Sequence, residues 1–206
     1  MQSRAHWEHV YATKPVDRVS WYQEHALQSL RLIRGTGVGL GASIIDVGGG
    51  ASTLVDDLLD SGYTAITVLD LSATALAAAK ARLGPRGDAV RWIEADVTAA
   101  ELPAHGYDVW HDRAVFHFLT DPADRRAYVD AVIRAVKPGG HVIVATFAED
   151  GPAQCSGLPV QRYSATGLHA EFGAPFTLLR HEKEEHHTPS GAVQRFVYCY
   201  CRRGVS

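Results

Sequence analysis

Three observations in this chain predict an α/β fold, a largely parallel sheet with helices on both faces. Short β-branched runs alternate with stretches whose apolar residues recur at helical spacing. The early runs end at glycines or at aspartate. The last two runs are separated by only four residues, Thr188-Pro189-Ser190-Gly191, which calls for an antiparallel hairpin at one end of the sheet.

The elements follow in order. Ser43 to Val47 (SIIDV) is the first strand. Ser52 to Asp60 is a helix, with Leu54, Val55, Leu58 and Leu59 on one face and Thr53 and Asp56 spaced for a capping pair. Ala65 to Leu69 is a second strand, ended by Asp70. Ser72 is spaced to cap a helix carrying Leu76, Ala79 and Leu83, which stops near Gly84-Pro85. Ala89 to Glu94 and Tyr107 to His111 are the third and fourth strands, the latter leading into a loop or short helix over 112–119. Asp121-Pro122 starts a helix striped by Tyr128, Val129, Val132, Ile133 and Val136. Pro138-Gly139-Gly140 turns into a fifth strand, His141 to Phe147. Residues 149–163 read as a loop, Ala165 to Phe172 as a short helix, and Phe176 to His187 with Ala192 to Arg202 as the hairpin. The first 35 residues form a helical cap ahead of a Gly-rich linker.

Composition narrows the function classes. With 206 residues the chain reads as one domain: cap 1–35, core 43–147, and a loop plus hairpin over 148–206. Hydrophobic residues make up 46% and charged residues 21%, ordinary globular values. The net charge of −3 supplies no large basic field, so no nucleic-acid partner is expected. The start lacks an apolar signal core, and no run of about 18 apolar residues appears, so a cytoplasmic protein without a membrane partner is expected. Three cysteines cannot build a disulfide framework. Cys199 and Cys201 share a strand face, but no second pair at zinc spacing accompanies them, so no metal is expected.

The chemistry sits at the strand ends. Asp46-Val47-Gly48-Gly49-Gly50-Ala51-Ser52 joins the first strand to its helix. Such a turn either lets the backbone approach a ligand or is simply a tight connection. Asp70, twenty residues past Gly50, suits the two hydroxyls of a ribose, or caps a helix. Asp96 suits the amine of an adenine, with Val97 offering its amide. Taken in order, glycine turn, Asp and Asp point to an adenosine-containing ligand. A dinucleotide fingerprint would place a third glycine where Thr53 stands.

The pattern D-x-G-x-G-x-S resembles motif I of class I S-adenosylmethionine-dependent methyltransferases, with Ser52 at the position of the last glycine. The resemblance runs from about Ser43 to Phe147 and includes Lys137-Pro138-Gly139-Gly140. It implies a Rossmann-like seven-stranded sheet of order 3-2-1-4-5-7-6 with strand 7 antiparallel. It implies S-adenosylmethionine as cofactor and S-adenosylhomocysteine as product. Gly48, Gly49 and Gly50 would pass beneath the methionine part, and Asp46 would orient the loop or receive the amino group through water. Asp70 would bind the ribose and Leu71 would pack on adenine. Asp96 and Val97 would meet the adenine edge, and the backbone near Asp112 and Arg113 would accept from the amino group. The segment W-E-x-x-Y followed by S-W-Y resembles the start of a subgroup that includes some protein-lysine methylating enzymes. Trp7, Tyr11 and Trp21 would then close over the cofactor, or pack the cap onto the domain; Ser20 is spaced to cap the next helix.

Methyl transfer from a sulfonium needs alignment more than acid–base chemistry, because the donor is already activated. His117 is the first candidate for a base or substrate contact, with Asp112 beside it; packing against Phe116 and Phe118 is the plainer role. His111 is a candidate substrate contact. Arg162 and Tyr163, in the loop after the fifth strand, are candidate acceptor contacts, or Arg162 ties the loop down. The run Glu182-Lys183-Glu184-Glu185 reads as a solvated face. The expected function is methyl transfer to a small-molecule or protein-lysine nucleophile, with a small molecule favoured by the compact chain. The alternatives are a non-catalytic module that binds the cofactor and a nicotinamide-dependent oxidoreductase.

Overall fold

The fold is described from a computed structural model, over residues 4–205; Met1 to Ser3, the first residues of the expected cap, and Ser206 lie outside the described residues. Among these residues the helices are α1 (Arg4–Thr13), α2 (Leu27–Gly35), α3 (Leu54–Asp60), α4 (Ala73–Leu83), α5 (Pro122–Ala135) and α6 (Ala165–Phe172). The strands are β1 (Ser43–Val47), β2 (Ala65–Asp70), β3 (Val90–Glu94), β4 (Tyr107–Arg113), β5 (Val136–Phe147), β6 (Gln154–Cys155), β7 (Leu158–Pro159), β8 (Phe176–His187) and β9 (Val193–Arg203). One seven-stranded sheet runs β3-β2-β1-β4-β5-β9-β8, and β6 pairs with β7 in a small separate hairpin. The first five strands are parallel, while β9 runs antiparallel to both β5 and β8. This is the order and handedness of pairing that the resemblance implies.

Period-two alternation splits the core between the two sheet faces. Ile44, Val109, Ile143, Phe196 and Tyr198 pack with α2 and α3 on one face. Ile45, Trp110, Val144, Val197 and Cys199 pack with α5 and α6 on the other. The order reverses between β1 and β4, so their carboxyl ends diverge there and leave a crevice.

Several local expectations are corrected. The Thr53–Asp56 capping pair does not form; α3 begins at Leu54, and the Thr53 hydroxyl donates to the Gln23 carbonyl at 3.0 Å. Ser20 caps nothing, since α2 starts only at Leu27; its carbonyl accepts from His186 Nε2 at 2.7 Å. β4 extends two residues further, to Arg113, and β5 begins at Val136, taking in the Pro-Gly-Gly turn. The loop over 149–163 holds the β6–β7 hairpin. Ser72 and Asp121 cap as expected, their side chains accepting from Ala75 N and Ala123 N.

Candidate functional site

The turn after β1 is shaped by its glycines. Gly48 has φ +67° and Gly50 φ +32°, a region where a Cβ is unfavourable. A Cβ on Gly48 would lie 2.0 Å from Val115 Cγ2, and one on Gly50 would lie 2.6 Å from Asp70 Oδ2. Arg82, on the last turn of α4, holds the turn from behind by donating to the Ala51 and Ser52 carbonyls at 2.9 and 2.6 Å and to Asp56.

Two adjoining cavities open here, of ≈ 850 and ≈ 550 Å³ out to their mouths. Tyr11, Trp21, Gly48 and Arg113 line both and mark the junction. The larger cavity carries Asp70, Leu71, Asp96 and Val97 at the ends of β2 and β3. Asp70 Oδ1 accepts from Ser72 N at 2.8 Å. Burial, helped by the charge of Asp46, pushes its carboxyl up to about 7. Asp96 Oδ1 accepts from the amide and hydroxyl of Thr98 at 2.9 and 2.7 Å, a turn that fixes the carboxylate at the cavity edge. The smaller cavity is lined by Asp46, Gly49, Ser52, Ser29 and His111.

Aromatic rings roof the larger cavity. Trp7 meets Trp21 and Phe118 edge-to-face at 5.7 and 5.2 Å, and Trp21 Nε1 donates to the Tyr11 hydroxyl at 3.3 Å. Glu8 fastens α1 to the first turn of α4, accepting from Ala73 N at 2.6 Å and from the Thr74 amide and hydroxyl. These bonds, led by that hydroxyl, hold the Glu8 carboxyl below its usual range.

Several expected site residues stand elsewhere. Asp112 lies on the opposite sheet face from Asp46 and His111, as alternation along β4 requires. It is fully buried and accepts from Val115 N, Phe116 N and the Tyr128 hydroxyl, so its carboxylate faces no cavity. Burial lifts its carboxyl to about 6 against those bonds. His117 is fully buried between Phe118 and Phe147, and its Nδ1 accepts from Phe147 N at 3.2 Å. Burial, with the charge of Arg113, drops the imidazole to about 3, so it is neutral and walled off rather than poised as a base. Arg162 is exposed and bonds the Gly151 carbonyl, while buried Tyr163 donates to Glu171 and packs on Phe116. Neither lines either cavity. His111 does line the smaller cavity, but both ring nitrogens are engaged by protein groups.

Other residues carried weaker sequence signals. Phe118 and Cys155 line the larger cavity; burial pushes the Cys155 thiol up to about 12, which keeps it protonated. Glu184 is no solvated charge: its carboxylate accepts from Arg113, Tyr198 and Gln23, which ties β8 to the cap. Alternation along the charge run places it on the covered face, a signal present in the spacing. Ala114, at φ +75°, lines the larger cavity at the bend that leaves β4. Among the described residues no cluster of three or more potential metal ligands occurs.

The sheet order, with the glycine turn at its switch point, is that of the Rossmann-like fold found in methyltransferases. Residues 44–140 match the family described as "Methyltransferase domain". The chain is 32% identical over 104 residues to an uncharacterized methyltransferase of Mycobacterium tuberculosis, covering 50% of each chain. It is 32% identical over 134 residues to the ubiquinone biosynthesis O-methyltransferase of Klebsiella pneumoniae, covering 63% of this chain and 53% of that one. The chain thus spans about half the length of these curated relatives. A solved 1,6-didemethyltoxoflavin-N1-methyltransferase of Burkholderia thailandensis, with S-adenosylhomocysteine bound, shares the fold at a TM-score of 0.73 and 21% identity, over 98% of this chain and 87% of that one.

The residues present fit S-adenosylmethionine. Asp46 Oδ2 is buried beside the glycine turn with no hydrogen-bond partner in the protein. The turn packs so closely that a Cβ on Gly49 would lie 2.5 Å from Asp46 Oδ2 and 2.8 Å from Val68 Cγ1, which leaves its backbone bare beside the cavities. Asp70 lines the larger cavity, with its Oδ1 accepting from Ser72 N.

Proposed function

We propose that this protein transfers a methyl group from S-adenosylmethionine to a small-molecule acceptor. Asp70 holds the ribose, Asp96 and Val97 meet the adenine edge, and the glycine turn carries the methionine part across the junction at Tyr11 and Trp21. When bound, the cofactor supplies the activated methyl group. The chain supplies alignment and a dry, aromatic-walled space beside it, which is most of what an in-line displacement requires.

The carrying observation is the roof. Trp7, Tyr11, Trp21 and Phe118 cover the cavity given to the adenosine, so an acceptor meets the methyl group at the junction beside the Tyr11 and Trp21 rings, an aromatic approach that favours a small molecule over a polypeptide. The described titratable groups near it also favour an acceptor that needs no strong base. His117 is walled off, and burial raises both the Cys155 thiol and the Tyr11 hydroxyl. The solved relative that acts on 1,6-didemethyltoxoflavin is in keeping with a small acceptor.

Methyl-labelled cofactor incubated with protein and a cell extract, then split by molecular size, tests this reading. Label in a low-mass product that separates from the cofactor by chromatography, dependent on Asp70, is expected. Label confined to protein would contradict the small-molecule acceptor and turn attention to lysine.

A further inference from the structure

Beneath the smaller cavity lies a chain of buried polar groups of which the reading above uses Asp46 but neither His111 nor Ser29. Asp46, His111 and Ser29 are exposed by only 3%, 2% and 1%. Asp46 and His111 are register partners on β1 and β4, so their side chains project side by side from one sheet face. His111 Nδ1 donates to Asp46 Oδ1 at 2.7 Å, because a carboxylate can only accept. His111 Nε2 meets the Ser29 hydroxyl, from α2, at 2.8 Å. That hydroxyl lies 3.4 Å from the Tyr198 hydroxyl, which donates to Glu184 at 3.0 Å. Arg113, the cation lining the same cavity, gives its Nε to Glu184 and Tyr198, so it is drawn away from Asp46.

One acceptor is left over. Asp46 Oδ2 is buried and unpartnered, and a Cβ on Gly49 would lie 2.5 Å from it. Asp46 lines the smaller cavity, and a buried carboxylate oxygen without a partner is costly unless a ligand supplies the missing donor.

We propose that His111, steadied by Ser29, is the positioning residue that turns Asp46 Oδ2 toward the smaller cavity to receive an ammonium group. By donating to Oδ1, His111 prevents the carboxylate from rotating both oxygens into other protein bonds. This rests on the reading of the site as a cofactor pocket, and it makes the ammonium the cofactor's own α-amino group. An acceptor amine is the other source of the same chemistry.

Calorimetric titration distinguishes these. The ligands are S-adenosylhomocysteine and its analogue lacking the α-amino group, against wild type, Asp46→Asn, His111→Phe, His111→Asn and Ser29→Ala, each with its melting temperature. Wild type is expected to prefer the amino form by about ten- to a hundredfold, the range for a hydrogen bond to a charged group. His111→Phe should cut that preference to within about threefold while the deaminated analogue keeps its own affinity. His111→Asn, whose amide nitrogen can stand where Nδ1 stood, should retain it, and Ser29→Ala should lower it partway. Equal weakening of both ligands, or an unchanged preference, would overturn the positioning role. If His111→Phe does not fold, the same ratio in His111→Asn and Ser29→Ala decides. Wild type binding both ligands equally would sink only this inference and leave an acceptor amine as the ammonium. Wild type binding neither would sink the cofactor reading itself.

Discussion

Asp70 carries two demands that conflict. In the role proposed for it, it offers an ionised oxygen to a ribose, yet burial lifts its carboxyl to about 7 in the free protein. An aspartate raised from about 4 when unfolded binds a proton in the native state between those values, so its contribution to stability is present at low pH and lost as pH rises toward 7. Asp112, lifted to about 6, acts in the same direction. Asp70→Asn should therefore raise the melting temperature of the ligand-free protein at pH 8, by roughly 2–6 °C, while weakening S-adenosylhomocysteine at least tenfold. Wild-type affinity should fall as pH drops from 8 to 6, and the variant should show a flatter profile; parallel profiles would contradict this. The placing of Asp70 and Asp96 at the carboxyl ends of the second and third strands was legible in the sequence, because each stands where an apolar run stops. His117 and Asp112 were not. Proximity along the chain suggested a site, and only the alternation of β4, with the packing of Phe118 and Phe147, shows that both point away.

At the scale of elements, Glu8 holds α1 over the cavity at the first turn of α4, the helix that begins just past Asp70. Glu8→Ala should weaken S-adenosylhomocysteine by about three- to tenfold and speed amide exchange along α1, with little change in melting temperature. Unchanged exchange in α1 would mean that its aromatic face alone holds it. α5 makes the opposite case. The Tyr128 hydroxyl accepts from Trp110 Nε1 at 2.9 Å and donates to Asp112 at 2.6 Å. Tyr128→Phe leaves both partners buried and short of a bond, costing about 1–3 kcal/mol. Differential scanning calorimetry should show a fall of roughly 2–10 °C, and titration should show cofactor affinity held within about threefold. Most element bounds were readable from periodicity and capping. Ser20 and Thr53 misled because each is committed to a distant partner, a hairpin histidine and a cap carbonyl, that no local pattern announces.

For the whole molecule, the sheet order places the glycine turn at the switch point and leaves two clefts meeting over β1 and β4. Nothing local encodes that meeting, which depends on the cap folding back against β8 through Gln23, Gln28 and Arg31. A ligand that bridges the clefts should stabilise the whole fold: at a hundredfold excess over Kd the gain is about 2.7 kcal/mol, a rise of roughly 5–10 °C in melting temperature. The most direct test is calorimetric titration of the protein with S-adenosylmethionine, S-adenosylhomocysteine and NAD, beside Asp70→Ala. Binding of the first two, weakened at least tenfold in Asp70→Ala and with no heat from NAD, is the predicted result. Binding of NAD with neither methyl-cycle ligand bound would contradict the account at its centre.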